Sequence, residues 1–366
     1  FGSTIGERLL ERFGQRLQRQ SCAAVGHFGR GVFGVTVPAT VSPDEVVAEL
    51  GQPLELEDLE LDPDLVAGVA RYPDNGDNVE ELVRRAETAM AAAHHRRSHW
   101  LAYAPELEPD PEDRVIVRDF RRLDGQGLRA VFQPQIDMAT MAPVSAEALV
   151  RWSHPELGEI IPARFVPLLE HAGTTRRLTE LMVARAMEAA RAFRQQGVPL
   201  VVSVNVSAVD LLENDLPGLV ERQLAETGAA AGDLCVEVTE TSVIEDPDRV
   251  RAVVEELRAM GLHSSIDDFG VGYSSLAYLS EFPVDEVKID RSFVSDMLTN
   301  ERHALIVRST ISLAHALGLR VVAEGAEDQA TVEALRAAGC DRVQGFVFAR
   351  PMGLEAVMAE VGTVYG

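Results

Sequence analysis

Eight short apolar runs alternate, for the most part, with longer segments of helical periodicity in the C-terminal two thirds of the chain. The apolar runs are 130–136, 144–152, 200–207, 234–240, 262–268, 285–290, 319–325 and 341–346. The helical segments are 162–196, 214–227, 247–260, 302–317 and 328–338. Eight strands that alternate with helices over ~240 residues predict an α/β fold, a (β/α)8 barrel, with an open doubly wound sheet as the alternative.

Polar residues at the ends of these runs favour the barrel. They lie at or near the C-terminal ends of the predicted strands, and they are Glu147, Asn205, Glu237, Asp267, Asp268, Lys288, Glu324 and Gln344. In a parallel barrel these ends converge on one face, where active sites are built. A helix N-cap explains one acid after one strand, but it does not explain the same pattern across seven strands. The sequence therefore predicts one polar site.

The composition of this site predicts metal ions. Its five carboxylates would repel each other unless cations lie among them. The candidate ligands offer only oxygen, without His or Cys, which favours Mg²⁺ or Mn²⁺ over Zn²⁺. Adjacent Asp267 and Asp268 can bridge two ions, an arrangement used for in-line displacement at phosphorus. Lys288, between Val287 and Ile289, is predicted to lie in a buried strand and to hold a water or a phosphate oxygen.

An acidic composition limits the partners of the chain. It has 366 residues, with 34 Lys+Arg against 58 Asp+Glu and a formal net charge of −24. A surface of this charge repels DNA and anionic membranes, so we expect neither as a partner. No apolar stretch approaches the ~20 residues that span a bilayer, and the cysteines form no disulfide framework, so we expect a cytoplasmic setting. Because the sequence begins with Phe1 rather than Met, we expect a piece of a longer protein, in which a sensor or membrane segment could lie upstream.

A proline-rich acidic stretch, 104–114, divides the chain. It lacks apolar periodicity and predicts a linker. The predicted organisation is an N-terminal domain over 1–105, a linker over 106–114 and a barrel domain over 115–366. The N-terminal domain has α+β character, with a helix over 4–19, a strand over 32–37 and a helix over 79–93 that Asn78 could cap.

Seven separated motifs mark the barrel domain. They are EAL at 147–149 followed by Arg151, NVS at 205–207, EVTE at 237–240, DDFGVGYSSL at 267–276, PVDEVKIDRSFV at 283–294, VVAEG at 321–325 and QGFVFARPM at 344–352. In these motifs and their order, residues 115–362 resemble the EAL-domain family of cyclic di-GMP phosphodiesterases. The resemblance implies a TIM-like barrel with an antiparallel first strand, hydrolysis of cyclic di-GMP to linear pGpG, two Mg²⁺ or Mn²⁺ ions per site, and a homodimer through the barrel.

The resemblance also implies residue roles. The implied metal ligands are Glu147, Asn205, Glu237, Asp267, Asp268 and Glu324. The implied catalytic residues are Lys288 and Glu324, which would position and deprotonate the attacking water, together with Glu147. The implied substrate contacts are Gln133, Leu149, Arg151, Asp268 and Gln344. Glu240 would brace the DDFGVGYSS loop.

Departures from the family pattern leave the implied ligands intact. Val271 stands where the family usually has Thr, which predicts tuned activity rather than its loss. A barrel that binds cyclic di-GMP without cleaving it is the alternative, but such degenerate members typically lose several metal carboxylates and this chain loses none. A third hypothesis, by fold analogy alone, is an unrelated barrel enzyme that acts on enolates with two Mg²⁺ ions.

Three segments of the N-terminal domain, 5–17, 25–38 and 71–93, resemble the latter part of a GGDEF diguanylate cyclase domain. The signature turn has the sequence GRGVF, so that Gly31 and Val32 replace the two acids that a cyclase needs for metal binding. We therefore expect a truncated, degenerate domain without cyclase activity, in a regulatory or dimerisation role.

An apolar strip follows the motif that contains Asp268. It consists of Leu276, Tyr278, Leu279, Phe282 and Val284. Such a strip is either part of the barrel core or a two-fold interface, since one patch that meets itself needs no second surface.

Overall fold

The computed structural model describes residues 3–365, apart from 20–23, 30, 57–58, 62, 64, 96–97, 109, 123–125, 199, 214 and 271–281. Two compact units divide between Pro111 and Glu112, inside the predicted linker. In the part of the chain that is described, no helix is both long and apolar enough to cross a membrane.

The N-terminal unit mixes helices with short strand pairs. Its elements are α1 (Ser3–Arg19), β1 (Ala24–Gly29), β2 (Val32–Thr36), α2 (Pro43–Leu50), β3 (Leu54–Leu56), β4 (Leu59–Leu61), β5 (Ala67–Val69), α3 (Val79–His95) and β6 (Trp100–Ala102). Asn78 Oδ1 accepts a hydrogen bond of 2.9 Å from the N–H of Glu81, as expected of the N-cap of α3. The predicted α+β character and its two long helices are confirmed.

The GRGVF turn joins β1 and β2, which pair antiparallel. Gly29 and Gly31 have φ angles of +89° and +79°, a backbone region that favours glycine. The predicted strand over 32–37 is present as β2. Arg30, between these glycines, lies outside the described residues.

The barrel unit is built on one closed sheet. Its strands are β7 (Leu128–Asp137), β8 (Pro143–His154), β9 (Gly158–Ile160), β10 (Val201–Val206), β11 (Leu234–Thr239), β12 (His263–Phe269), β13 (Glu286–Ile289), β14 (Arg320–Glu324) and β15 (Arg342–Gln344). The order is β10-β11-β12-β13-β14-β15-β7-β8, and β8 pairs back to β10, while β9 extends β8 as a hairpin. Strand β7 is antiparallel to both neighbours, and the other barrel pairings are parallel. The barrel with an antiparallel first strand is confirmed.

Helices surround the barrel strands. They are α4 (Pro111–Arg122), α5 (Pro162–His171), α6 (Arg176–Gln195), α7 (Ala208–Glu213), α8 (Leu216–Thr227), α9 (Glu240–Glu245), α10 (Pro247–Ala259), α11 (Arg291–Val294), α12 (Glu301–Ala316), α13 (Gln329–Ala337) and α14 (Leu354–Tyr365). The single helix predicted over 162–196 is wrong, because Gly173 takes a left-handed φ of +59° between two helices. Helix α4 begins inside the predicted linker and buries Ile116 and Phe120.

Apolar and polar side chains alternate along the barrel strands, so the hydrophobic core and the barrel interior lie on opposite faces of the sheet. In β10 the buried Val202, Val204 and Val206 alternate with Ser203 and Asn205. Since successive side chains of a strand point to opposite faces, the valines pack outward toward the helices and the polar residues point into the barrel. The barrel interior is therefore unusually polar, and this layer of side chains carries the site.

Two residues of the predicted apolar strip belong to the barrel core. Phe282 and Val284 are each 5% exposed and pack in the main hydrophobic cluster. Leu276, Tyr278 and Leu279 lie outside the described residues. The core alternative is thus correct for two of the five positions.

Candidate active site

The C-terminal ends of the parallel strands bring the predicted polar residues to one end of the barrel. Each strand contributes one or two of them, in the order Glu147 on β8, Asn205 on β10, Glu237 on β11, Asp267 and Asp268 on β12, Lys288 on β13, Glu324 on β14 and Gln344 on β15. The antiparallel β7 adds Gln133, whose Cα partner across the strand pair is Glu147. Because the carboxyl ends of parallel strands meet at one end of a barrel, residues that are far apart in the sequence become neighbours here.

Lys288 lies at the centre of the acidic residues and is completely buried. Its Nζ is 2.6 Å from Glu324 Oε1 and 2.8 Å from Glu237 Oε2. The same nitrogen is 3.1 Å from Asp267 Oδ1 and 3.6 Å from Glu147 Oε1. One ammonium thus faces four carboxylates, so the ionised cluster keeps an excess of three negative charges.

Burial dominates the protonation of this cluster. It raises the pKa of Glu237 and of Asp267 and raises the pKa of Glu324 to about 8, although Lys288 acts in the opposite direction. Burial alone would lower the pKa of Lys288, but the surrounding carboxylates outweigh it and raise that pKa well above its usual range. The cluster therefore holds excess protons at neutral pH when no other cation neutralises it.

Three of the carboxylates have the arrangement that a metal ion requires. Glu147, Glu237 and Asp267 each offer one oxygen, and these oxygens lie within 4.8 Å of one another. Glu237 Oε1 is buried and has no hydrogen-bond partner within the described structure, while Oε2 of the same residue accepts from Lys288. Oxygen ligands with an uncompensated negative charge fit a hard divalent cation such as Mg²⁺ or Mn²⁺.

Two amides orient the Glu147 carboxylate. Asn205 Nδ2 donates to its Oε1 at 2.7 Å, and Gln344 Nε2 donates to its Oε2 at 2.6 Å. Gln344 Nε2 also lies 3.2 Å from Gln133 Oε1, and Gln133 Nε2 donates to the carbonyl oxygen of Ala349 at 3.0 Å. The predicted polar shell is therefore one connected hydrogen-bond network.

Asp268 lies outside the triad of close carboxylates. Its backbone adopts a φ of +55°, and its N–H donates to Asp267 Oδ1 at 3.0 Å. The side chain is exposed in part to solvent, but its pKa is raised to about 6. The main cause is partial desolvation, and the nearby carboxylates of Asp267 and Asp290 add to it. Asp268 is therefore more exposed than the three carboxylates of the triad.

Glu240 contacts the start of the loop that follows β12. Its Oε2 accepts a hydrogen bond of 2.9 Å from the N–H of Gly270, whose φ of +100° is left-handed. Residues 271–281, which include Val271, lie outside the described part. The contact is of the kind expected for a residue that braces this loop.

Leu149 and Arg151 follow Glu147 along β8 and are half-buried. Arg151 lies on the same face of the strand, about 13 Å further along at the usual rise per residue. Burial and the nearby Arg129 lower its pKa, and its Nη1 donates to the carbonyl oxygen of Val150 at 2.7 Å. Arg151 is therefore placed beyond the acidic cluster rather than in it.

Two residues near the site are not among the predicted site residues. Asp290, which follows the lysine strand, lies close enough to Asp268 to raise its pKa. Gln135 Nε2 donates to Gln344 Oε1 at 2.9 Å. The spacing of Gln133 and Gln135 could have revealed the second residue, since positions i and i+2 of a strand share one face.

A closed barrel with a reversed first strand and a carboxylate cluster at the strand ends defines a class of α/β-barrel proteins. Within that class the chain belongs to the EAL-domain family, because the model of the EAL domain matches residues 117–351. Residues 1–99 match the model described as diguanylate cyclase, GGDEF domain. The two resemblances found in the sequence are confirmed.

Named relatives share both regions. The chain is 31% identical over 373 residues to MucR of Pseudomonas aeruginosa, a bifunctional diguanylate cyclase/cyclic di-GMP phosphodiesterase, and covers 54% of it with 99% of its own length. It is 33% identical to the cyclic di-GMP phosphodiesterase NbdA of the same organism, with 97% of the chain and 47% of the relative covered. The chain thus spans about half the length of these curated relatives.

A solved structure supports the barrel assignment. The structure described as PaMucR phosphodiesterase, c-di-GMP complex, superimposes with a TM-score of 0.64 at 36% identity. The match covers 66% of this chain and 99% of that one. That related barrel binds cyclic di-GMP.

Proposed function

We propose that this chain is a metal-dependent phosphodiesterase that hydrolyses cyclic di-GMP to linear pGpG. The observation that carries the proposal is the convergence of four carboxylates on one buried ammonium at the strand ends. Such a cluster needs divalent cations for charge balance, and divalent cations promote displacement at phosphorus. Membership of the EAL family and the names of the relatives support the choice of substrate.

The proposed reaction is an in-line hydrolysis. Divalent ions held by these carboxylates would supply two things, a lower pKa for the attacking water and neutralisation of charge on the phosphate. The proposed ligands are Glu147, Asn205, Glu237 and Asp267 for one ion, and Asp267, Asp268 and Glu324 for the other. The water oxygen forms a bond to phosphorus while the P–O3′ bond breaks, and O3′ takes up a proton from solvent water. The products have a 5′-phosphate and a free 3′-hydroxyl.

Two side chains would handle the water in this scheme. Lys288 holds the water in line with the bond that breaks, because its ammonium is fixed among the ligands. Glu324 accepts the proton of the water, because its Oε1 lies 2.6 Å from the Lys288 ammonium that holds this water. Gln133, Leu149, Arg151, Asp268 and Gln344 are the proposed substrate contacts, with Arg151 on the distal phosphate.

The test is incubation of the purified chain with cyclic di-GMP and either Mg²⁺ or Mn²⁺, with products separated by anion-exchange chromatography. We expect pGpG as the product, with Glu147→Ala as the inactive control, since it removes one ligand of the triad. Cyclic di-GMP that binds by calorimetry but is recovered intact would overturn the enzyme in favour of a receptor.

The N-terminal domain is proposed to have no cyclase activity and to act in regulation or dimerisation. Gly31 and Val32 offer no carboxylate at the turn where a cyclase binds metal, so two nucleotide triphosphates cannot be activated there. We expect no cyclic di-GMP from GTP with Mg²⁺ or Mn²⁺. The assay uses Glu147→Ala in the barrel so that any product accumulates, and protein-dependent synthesis would contradict the prediction.

The assembly is part of the same proposal. Three predictions from the sequence and the resemblance belong to it: a homodimer through the barrel, a sensor domain upstream and a cytoplasmic location. A two-fold dimer would bring two barrels together near the loop that Glu240 contacts. Dimer formation would then affect Asp267 and Asp268 through this loop.

A further inference from the structure

A continuous chain of polar side chains leads from the N-terminal half of the barrel interior to the acidic cluster. Arg342 Nη1 donates to Ser145 Oγ at 3.4 Å, and Ser145 Oγ donates to Gln135 Oε1 at 2.6 Å. Gln135 Nε2 donates to Gln344 Oε1 at 2.9 Å, and Gln344 Nε2 donates to Glu147 Oε2 at 2.6 Å. Ser145 and Gln135 are 2% and 1% exposed, so both members of the series are buried.

The two ends of this chain give it one direction. A guanidinium can only donate hydrogen bonds and a carboxylate can only accept them, whereas a hydroxyl and an amide do both. With Arg342 at one end and Glu147 at the other, each group between them accepts from one neighbour and donates to the next. This series of hydrogen bonds therefore selects one of the two orientations of the Gln344 amide.

The far end of the chain is anchored. Arg342 Nη1 donates to Glu286 Oε2 at 2.8 Å, and Glu286 is 4% exposed. Arg320 Nε lies 3.6 Å from the same carboxylate oxygen. A buried carboxylate between two guanidinium groups holds Arg342 in place, so the first donor of the chain has little freedom.

The orientation of Gln344 matters for the metal ligand. If the amide turned over, its Oε1 would face Glu147 Oε2, and two acceptors would repel each other. The carboxylate would then rotate away, and its other oxygen, which Asn205 holds, would leave its place among the triad. Gln135 opposes this turn because its Nε2 can bond only to the oxygen end of the Gln344 amide, and Gln133 Oε1 opposes it from the nitrogen end.

We propose that Gln135 and Ser145 are positioning residues, which act through Gln344 to hold the Glu147 carboxylate in the orientation that binds metal. The proposal rests on the function proposed above, because it assigns Glu147 as a metal ligand. Hydrogen-bond partners outside the ligand shell typically change metal affinity or activity by about 10- to 100-fold when they are lost. A partner one step further out belongs at the lower end of that range.

A matched pair of serines tests the proposal. Ser145 and Ser203 lie on neighbouring strands and are both buried, but Ser203 Oγ has no hydrogen-bond partner in the described structure. We expect Ser145→Ala to raise the Kd for Mn²⁺, measured by calorimetry without substrate, about 10-fold and to lower kcat by a similar factor. KM should change less than about twofold, because Gln133 keeps its own bond to Ala349. Ser203→Ala should leave all three quantities within about twofold of the wild-type values.

Gln135→Met tests the next member of the chain at nearly constant volume. We expect the same loss as for Ser145→Ala, and the double variant should be no worse than either single one, because both substitutions break the same series of hydrogen bonds. If one of these two variants does not fold, the other still tests the positioning role.

The outcomes separate this proposal from the proposed function. If Ser145→Ala and Ser203→Ala have equal effects, or if the effects of Ser145→Ala and Gln135→Met add, the positioning role is wrong even though the enzyme hydrolyses cyclic di-GMP. If the wild-type chain binds Mn²⁺ but leaves cyclic di-GMP intact, the proposed function fails, and the comparison of Mn²⁺ affinities still decides the positioning role.

Discussion

Lys288→Met is expected to lower kcat for cyclic di-GMP at least ~10²-fold, the loss typical of a preorganised charge removed from an active site. Methionine fills most of the volume of the lysine side chain without its charge. The four carboxylates that contact Nζ then lose their fixed cation, and the attacking water loses its proposed anchor. Binding of cyclic di-GMP should persist, because the proposed substrate contacts lie on other side chains.

Folding must be separated from catalysis in this variant. Removing one partner of a buried ion pair typically costs about 3–5 kcal/mol of stability. Added Mn²⁺ should restore much of that stability, since a divalent cation supplies the missing positive charge. We therefore expect Lys288→Met with Mn²⁺ to regain most of its Tm but not its kcat. Recovery of both would show that Lys288 serves only to balance charge.

The protonation of Lys288 can be read directly. It is the only lysine of the chain, so selective ¹⁵N labelling of lysine gives a single side-chain ammonium resonance. In metal-free protein this resonance should stay that of an ammonium throughout the neutral and mildly alkaline range, because the carboxylates raise the pKa of Lys288. A neutral amine at pH 9 would contradict the charge balance described for the cluster.

Much of the fold could be predicted because the strands have distinctive sequences. Apolar runs such as 200–207 and 319–325 begin and end one residue outside the observed β10 and β14. The direction of β7 was available only from the family resemblance, since an apolar run has no direction of its own. The break between α5 and α6 was missed because the helical pattern continues across Gly173.

The sequence predicts those site residues that lie at the ends of parallel strands. Residues at the ends of parallel strands must meet, and Glu147, Glu237 and Asp267 do so. The contribution of Gln135 depends on the register between antiparallel β7 and its neighbours, which sets Gln133 opposite Glu147. Sequence patterns specify which residues face inward, but the register of two strands depends on side-chain packing across the pair.

Removal of divalent metal is expected to abolish hydrolysis. The excess negative charge around Lys288 and the unpartnered Glu237 Oε1 indicate a site that is incomplete without a cation. EDTA should reduce turnover to the background rate, and Mg²⁺ or Mn²⁺ should restore it. Ca²⁺ should bind but suppress turnover, because its longer bonds and looser coordination misplace the attacking water. Full turnover in excess chelator would rule out the proposed mechanism.

Metal binding should also release protons, because the raised pKa values keep protons on the carboxyl groups of the metal-free site. Glu324, with a pKa of about 8, is largely protonated at pH 7 in metal-free protein, and burial raises the pKa of Glu237 as well. A metal ion binds the ionised carboxylates, so it must displace these protons, and its affinity should rise as the pH increases from 6 to 8. Calorimetry with Mn²⁺ in buffers of different ionisation enthalpy measures the number released. Glu324→Gln, which removes one of the protonated groups, should release fewer protons than the wild-type chain, and an equal release would show that Glu324 keeps its proton when the metal binds.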